Sequence, residues 1–146
     1  MYKSILVAID GSHTSEVALK EAIQLAKGTE TRLLIVHVVD EVSANLDAKN
    51  LQEIWEALAA NGRTLLKKAA SAAAEAGVKA DTRLVEIDKL GTRIPEVISR
   101  EADAWPADLI VVGTHGRRGM SHLFLGSVAE GIARVATKPV LLFRGK

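Results

Sequence analysis

Short apolar runs alternate along the chain with longer amphipathic segments. Five runs rich in leucine and β-branched residues are candidate strands: Ile5–Ile9, Leu33–Val39, Leu84–Ile87, Leu109–Val112 and Val140–Phe143. Most of them are nearly continuous, which is typical of strands covered on both faces in a parallel sheet. The third run alternates with polar residues and is therefore expected at an edge of the sheet.

The segments between these runs repeat their apolar residues at helical spacing. They predict helices over Ser15–Lys27, Asp47–Ala76, Thr92–Asp103 and from Ser127 onward. The second segment contains Asn61-Gly62, where glycine costs about 1 kcal/mol relative to alanine, so two helices remain an alternative to one. At the last helix, Ser127 and Glu130 have the S-x-x-E spacing of a capping box.

The resulting order, β-α-β-α-β-α-β-α-β, predicts a doubly wound α/β fold. Five-stranded sheets of this class commonly have the order 2-1-3-4-5 or 3-2-1-4-5. We expect a single Rossmann-like domain over residues 1–146, with a parallel sheet of order 3-2-1-4-5 and helices on both faces. Such sheets bind ligands beyond the carboxyl ends of the strands, where the strand order reverses. Here the reversal lies between strands one and four.

Composition narrows the classes of function. The chain has no cysteine, which excludes disulfides, thiol catalysis and cysteine-ligated metals. Its 19 basic and 18 acidic residues leave a net charge of +1, and only 3% of residues are aromatic, so no nucleic acid partner is expected. No apolar run approaches the roughly 20 residues of a membrane span, and the first residues lack a signal-peptide core. We therefore expect a cytoplasmic protein without membrane insertion.

Polar turns that contain glycine follow strands one and four. They read Asp10-Gly11-Ser12 and Gly113-Thr114-His115-Gly116. Gly113 and Gly116 are expected to take positive φ angles and to bring backbone amides close to a ligand. Gly126 and Ser127 open the last helix, whose free N–H groups and positive dipole end attract phosphate. A purely structural turn and helix cap remain the alternative.

Several side chains in these turns could contact the same ligand. The Asp10 carboxylate suits a ribose hydroxyl, with a cap for the first helix as its alternative role. His115, Arg117 or Arg118 could reach phosphate. His37 is isolated in an apolar strand and is expected to be structural. The histidines show no metal-ligand spacing, so a divalent ion would be held mostly by phosphates and water.

The glycine spacing is the most specific signal in the chain. Gly113-x2-Gly116-x9-Gly126-Ser127 resembles the nucleotide motif G-x2-G-x9-G-[S/T] of the universal stress protein family. The segments Ile5–Ser12, Val36–Val39 and Lys138–Leu142 also resemble family landmarks, so the resemblance covers nearly the whole chain. Its ATP-binding branch implies ATP as the ligand, with AMP or ADP as alternatives and Mg²⁺ or Mn²⁺ held through the phosphates.

This resemblance implies a role for each matching position. Asp10 would lie at the ribose or adenine side, beside the backbone of Ala8 and Ile9. Val38 would line the adenine pocket, and Gly113 would lie near the ribose. The implied phosphate contacts come from the glycine-rich turns and the start of the last helix: Gly116, Arg117, Gly126, Ser127 and Val128, with His115 in the same loop.

The resemblance also implies a regulatory protein of the stress response that hydrolyses ATP at most slowly. An ATPase or nucleotidyl transferase is the alternative, but fast phosphoryl transfer needs a base and metal-holding carboxylates. Near the phosphate turns the acidic candidate is Glu130, which is expected in the helix cap. A phosphoacceptor signalling domain is a third possibility, although Asp10 has no acidic neighbour in its turn and Asp88 stands alone.

The last strand bears on assembly. Val140, Leu141 and Leu142 would lie at a sheet edge with unpaired backbone groups. The family resemblance implies a homodimer through this strand, and a further, unidentified protein partner is expected. Replacing Leu141 by proline is expected to remove an edge donor and to yield monomers.

Overall fold

The computed structural model describes residues 2–40, 51–87, 91–115 and 125–145. Within these ranges strands and helices alternate strictly. Their bounds in chain order are β1 Ser4–Ala8, α1 His13–Ala26, β2 Arg32–Asp40, α2 Leu51–Glu75, β3 Ala80–Ile87, α3 Ile94–Ala104, β4 Leu109–Gly113, α4 Ser127–Val135 and β5 Val140–Phe143.

The strands form one parallel sheet of order β3-β2-β1-β4-β5, which confirms the predicted topology. In register, Val7 of β1 lies between Ile35 of β2 and Val111 of β4. The strand order reverses between β1 and β4, as the sequence predicts. The carboxyl ends of β1, β2 and β4 therefore lie side by side at one edge of the sheet.

Two apolar cores cover the two faces of the sheet. On one face, alternate residues of β1 and β2 such as Ile5 and Leu33 pack against α1 and α2. On the other face, intervening residues such as Leu6 and Leu34 pack against α3 and α4. Both faces of the central strands are thus buried, which explains their continuous apolar runs. Edge strand β3 instead exposes Asp81–Arg83, as its alternating pattern predicts.

The bounds of the elements differ from the predictions by a few residues. The hydroxyl of Ser12 caps α1, so the helix begins at His13 rather than Ser15. Strand β3 begins at Ala80 because its polar residues pair in register with the buried residues of β2. Helix α3 begins at Ile94, with Pro95 in its first turn as expected. The predicted start of α2, at Asp47, lies outside the described residues.

Helix α2 is continuous through Asn61-Gly62, so the one-helix interpretation is confirmed. A side chain at Gly62 would have no room, because an added Cβ would lie 2.6 Å from His37 Cδ2 and 2.8 Å from Leu84 Cδ1. The glycine therefore lets α2 approach the ends of β2 and β3 closely. This close packing explains why a weak helix former stands in the middle of the helix.

Backbone direction along β5 corrects one expectation. The carbonyl oxygens of Pro139 and Phe143 accept hydrogen bonds from Ile110 N and Thr114 N, at 2.9 Å each. Backbone polar groups alternate in direction along a strand, so Leu141 N–H also faces β4, whereas those of Val140 and Leu142 face outward. The expectation that Leu141→Pro removes an edge donor was wrong, because this change would break the β4–β5 ladder instead.

Among the helices that the structure describes, none combines the length and hydropathy needed to cross a bilayer.

Candidate functional site

A cavity of about 650 Å³ opens at the carboxyl edge of the sheet, where the strand order reverses. This volume is within the range of pockets for small molecules. Its walls include every predicted ligand-contact residue that the structure describes: Ala8, Ile9, Asp10, Val38, Gly113, His115, Gly126, Ser127 and Val128. Gly116 and Arg117 lie outside the described residues.

The turn after β1 presents the Asp10 carboxylate to this cavity. Ser12, not Asp10, caps α1, since Ser12 Oγ accepts a hydrogen bond from Ser15 N at 3.3 Å. Asp10 Oδ1 accepts from Ser12 N at 2.9 Å, and Asp10 N donates to Ser15 Oγ at 3.0 Å. The carboxylate is thus oriented by the turn, and a carboxylate has enough lone pairs to accept a hydrogen bond from a ligand hydroxyl as well.

The turns after β1 and β4 are joined directly. The hydroxyls of Thr14 and Ser12 both donate to the carbonyl oxygen of His115, the latter at 3.4 Å. His115 N donates back to Thr14 Oγ1 at 3.4 Å. The two turns therefore form a single wall of the cavity.

Gly113 allows this close approach. A Cβ at this position would lie 2.6 Å from both the carbonyl carbon and Oγ1 of Thr14. The positive φ predicted for Gly113 was wrong, because among the described glycines the positive φ angles belong to Gly11, Gly28, Gly77 and Gly91, while Gly116 lies outside the described residues. Gly113 is needed because α1 packs against the end of β4. The first glycine of the motif therefore has a structural role that is separate from any contact with a ligand.

Helix α4 points its N-terminus at the cavity. Gly126 is its N-cap, and no side chain of the described residues caps the helix, so the predicted capping box, with Ser127 as the cap, was wrong. Glu130 instead accepts from Arg134 at 3.0 Å on the exposed side of the helix. Uncapped N–H groups in the first turn attract anions, and Ser127 and Val128 of this turn line the cavity.

The opposite end of the cavity lies against β2 and α2. Its walls there are mostly apolar, with Val38, Val39 and Leu58 beside the polar groups of Asp40 and Asn61. Helix α3 adds Ile94 and Ile98 from the other face of the sheet. Sequence reasoning found Val38 but missed the others, because only the packing of the helices over the strand ends brings them together.

His37 anchors the strand end beside this wall. Its side chain is buried, and Nδ1 lies 2.8 Å from the carbonyl oxygen of Ile9, which accepts the hydrogen bond. The predicted structural role of His37 is therefore confirmed. The ring also lines the cavity, and its hydrogen bond holds Ile9, another residue of the cavity wall.

Within the described ranges, no group of three or more His, Cys, Asp or Glu side chains is arranged to hold a metal ion. Among the described residues, the carboxylates in the cavity walls belong to Asp10 and Asp40. Phosphate oxygens and water are the usual additional ligands of Mg²⁺. A divalent ion bound through a ligand's phosphates is compatible with these walls.

Comparison with known proteins identifies the relatives of this chain. A model of the universal stress protein family matches residues 1–144. A universal stress protein of Methanocaldococcus jannaschii is 38% identical over 146 residues, covering 99% of this chain and 83% of that protein.

Solved structures share the whole fold. The structure of the hypothetical protein MJ0577, used to assign its biochemical function, has a TM-score of 0.86 at 28% identity and covers 100% of this chain and 98% of that chain. A universal stress protein of Archaeoglobus fulgidus in complex with dAMP has a TM-score of 0.68 at 27% identity, covering 97% and 98% of the two chains. A universal stress protein in complex with cAMP has a TM-score of 0.71 at 26% identity, covering 98% and 97%.

Proposed function

Because the chain belongs to the universal stress protein family, we propose that its cavity binds an adenine nucleotide. The observation that carries this proposal is the joint wall formed by the turns after β1 and β4, with the N-terminus of α4 beside it. This wall combines a carboxylate acceptor with backbone N–H donors. A nucleotide needs these two kinds of partner for its sugar and its phosphates.

Two structural relatives support the choice of an adenine ligand. The Archaeoglobus fulgidus protein is in complex with dAMP, and a second relative is in complex with cAMP. Both relatives cover nearly the whole of this chain. An adenine nucleotide is therefore the ligand class that the comparisons favour for this cavity.

The strand order suggests how the nucleotide lies. We place the phosphates at the N-terminus of α4, beside Gly126, Ser127 and Val128, because that end of the cavity attracts anions. The ribose then lies over the end of β1, at Asp10. The base lies at the far end against β2 and α2, where Val38 belongs to a largely apolar wall.

ATP is the nucleotide that we propose first, with AMP and ADP as alternatives. A chain of several phosphates is compatible with the exposed position of Ser127 at the phosphate end of the cavity. The motif resemblance adds Gly116 and Arg117 as phosphate contacts, and His115 lies within the same wall. Mg²⁺ or Mn²⁺ would be held by the phosphates.

We propose a regulatory role in the stress response, with hydrolysis at most slow. Fast phosphoryl transfer requires a positioned base and carboxylates that hold the metal. Glu130, the acidic candidate near the phosphate end, is exposed and paired with Arg134. Nucleotide occupancy, rather than turnover, would then be the signal that an unidentified protein partner reads.

A homodimer through β5 belongs to the same proposal. The strand lies at the sheet edge, and Val140, Leu141 and Leu142 are each only half-buried in one chain. A second copy could pair with the outward backbone groups of Val140 and Leu142 and cover these side chains. The cytoplasmic location expected from the sequence stays a prediction.

The first test of the function is direct. Purified protein is extracted, and any bound nucleotide is identified by mass spectrometry. ATP, ADP and AMP are then titrated by calorimetry into protein from which bound nucleotide has been removed. Gly126→Val is expected to abolish ATP binding, because its side chain would stand where the phosphates approach the α4 N-terminus.

Ala133→Val is the matched control, since it adds comparable bulk at an exposed position of the same helix. It should retain the affinity of the unmodified protein, and both variants should keep a cooperative thermal transition. Undiminished ATP affinity in a folded Gly126→Val protein would refute the placement of the phosphates. Failure of the unmodified protein to bind any adenine nucleotide would refute the function itself.

A further inference from the structure

Thr14 is a buried polar residue in the first turn of α1 that touches the site without lining it. It is 9% exposed, and it is absent from the described residues that form the cavity walls. We propose that Thr14 is the positioning residue that holds the phosphate end of the cavity in its binding geometry. This inference rests on the proposed nucleotide function and adds a residue that the glycine motif does not contain.

One hydroxyl group satisfies both backbone groups of His115. Thr14 Oγ1 donates to the carbonyl oxygen of His115 and accepts from His115 N at 3.4 Å. A hydroxyl has one proton to donate and lone pairs to accept, so both contacts can exist together. Ser12 Oγ is a second donor to the same carbonyl, at 3.4 Å. The peptide groups of His115 are therefore fixed to α1.

The methyl group and backbone of Thr14 complete the contact. Gly113 lies so close that an added Cβ would be 2.7 Å from the Thr14 carbonyl oxygen. On another side, a Cβ on Gly145 would be 2.8 Å from Thr14 Cγ2. Thr14 is thus enclosed by two glycines, and the hydroxyl has little freedom to leave His115.

The contact extends from His115 to the N-terminus of α4 through one buried residue. Thr114 is 3% exposed, and its carbonyl oxygen accepts from Gly126 N at 2.6 Å. Displacement of His115 would therefore also move Thr114 and the N-cap of α4. Among the described residues, no hydrogen bond joins Thr14 to the base end of the cavity, where Val38 belongs to β2 and Leu58 to α2. Loss of the Thr14 hydroxyl should affect phosphate binding and spare the base.

The test compares ATP with adenosine, which shares the base and ribose but has no phosphate. Thr14→Val keeps the shape and the methyl contact but removes the hydroxyl. It is expected to weaken ATP binding about tenfold or more, because His115 N–H and C=O lose their shared partner, while adenosine affinity changes less than about twofold. Thr14→Ser restores the hydroxyl and should recover ATP affinity.

Thr31→Val is the matched control for a general loss of stability. Thr31 is 8% exposed and donates from Oγ1 to Tyr2 O at 2.6 Å, at the opposite edge of the sheet. Its replacement removes the same kind of buried hydrogen bond far from the cavity. Thermal unfolding of both variants should show comparable losses of stability, whereas only Thr14→Val should change the ratio of ATP to adenosine affinity.

Each outcome decides the inference. If Thr14→Val weakens ATP and adenosine equally, or leaves both unchanged, the positioning role is wrong. If Thr14→Val does not fold, Thr14→Ala, which removes the hydroxyl without β-branching, must show the same selective loss. If the unmodified protein binds neither ATP nor adenosine, the proposed function fails rather than the role of Thr14.

Discussion

Two glycines of this chain are explained by neighbouring atoms rather than by turns. At Gly62 the neighbour is the His37 ring, and at Gly113 it is the backbone of Thr14. Each glycine lets a helix approach the carboxyl end of a strand that borders the cavity. At the residue scale, the cavity therefore depends on the absence of two side chains as much as on the presence of polar ones.

This steric argument leads to a stability prediction for Gly62→Ala. Alanine is the better helix former by about 1 kcal/mol, but its Cβ would overlap the imidazole that is hydrogen-bonded to Ile9 O. We expect a net loss of about 1–3 kcal/mol in the free energy of unfolding, measured by denaturant titration.

A double-mutant cycle provides the control. In a His37→Ala background the overlap with the ring is gone and Leu84 Cδ1 can move into the space that it leaves, so Gly62→Ala should cost clearly less. Equal costs in the two backgrounds would mean that the His37 ring is not the reason for the glycine.

At the scale of elements, helix termini and strand edges carry the functional groups. Helix α1 is capped by Ser12, whereas no side chain in the described part of the chain caps α4, whose first N–H groups turn toward the cavity. Strand β5 directs one set of backbone groups at β4 and the other set outward. The uncapped helix end suits an anion, and the outward edge suits another strand.

The β5 edge allows a matched test of the proposed dimer. Leu142→Pro removes an outward N–H and is expected to convert dimers to monomers, as measured by light scattering or sedimentation. Leu142→Ala truncates the same side chain but keeps the N–H, so it should remain dimeric. Pairing through β5 is contradicted if the folded proline variant keeps the dimer mass.

At the scale of the whole molecule, the cavity exists because of the strand order. Strands β1 and β4 are far apart in sequence but adjacent in the sheet, so their turns can join through Thr14 and His115. Strand β2 lies on the other side of β1 and contributes Val38 and Val39 to the apolar wall of the cavity. One ligand can therefore contact turns from three strands and the ends of helices on both faces.

A ligand that joins so many elements should stabilise the whole fold. At a free ATP concentration of 100 times the dissociation constant, linkage contributes about 2.7 kcal/mol. For a chain of this length we expect the melting temperature to rise by about 5–10 °C, as measured by scanning calorimetry. Gly126→Val should show no such rise, and an equal rise in that variant would indicate ATP binding elsewhere.

The sequence by itself determined the class of fold, and together with the family resemblance it indicated the strand order and the described residues of the cavity wall. Apolar periodicity reports which faces of an element are buried, and the glycine spacing marks turns at the ends of β1 and β4. Local pattern was less reliable at helix starts, since Ser127 and Glu130 match a capping box that does not form. A side chain in the first turn of a helix can bond either to the backbone or to another side chain, and Glu130 pairs with Arg134.

Only the tertiary structure decided which distant residues meet. Thr14 and His115 are far apart in the chain but share hydrogen bonds. The close packing at Gly62 and the presence of Leu58 and Asn61 in the cavity wall likewise depend on how α2 packs against the sheet. The direction of the Leu141 N–H was likewise set by its register with β4. These contacts depend on differences of a few tenths of an ångström in the distances between atoms, which the pattern of residue types does not encode.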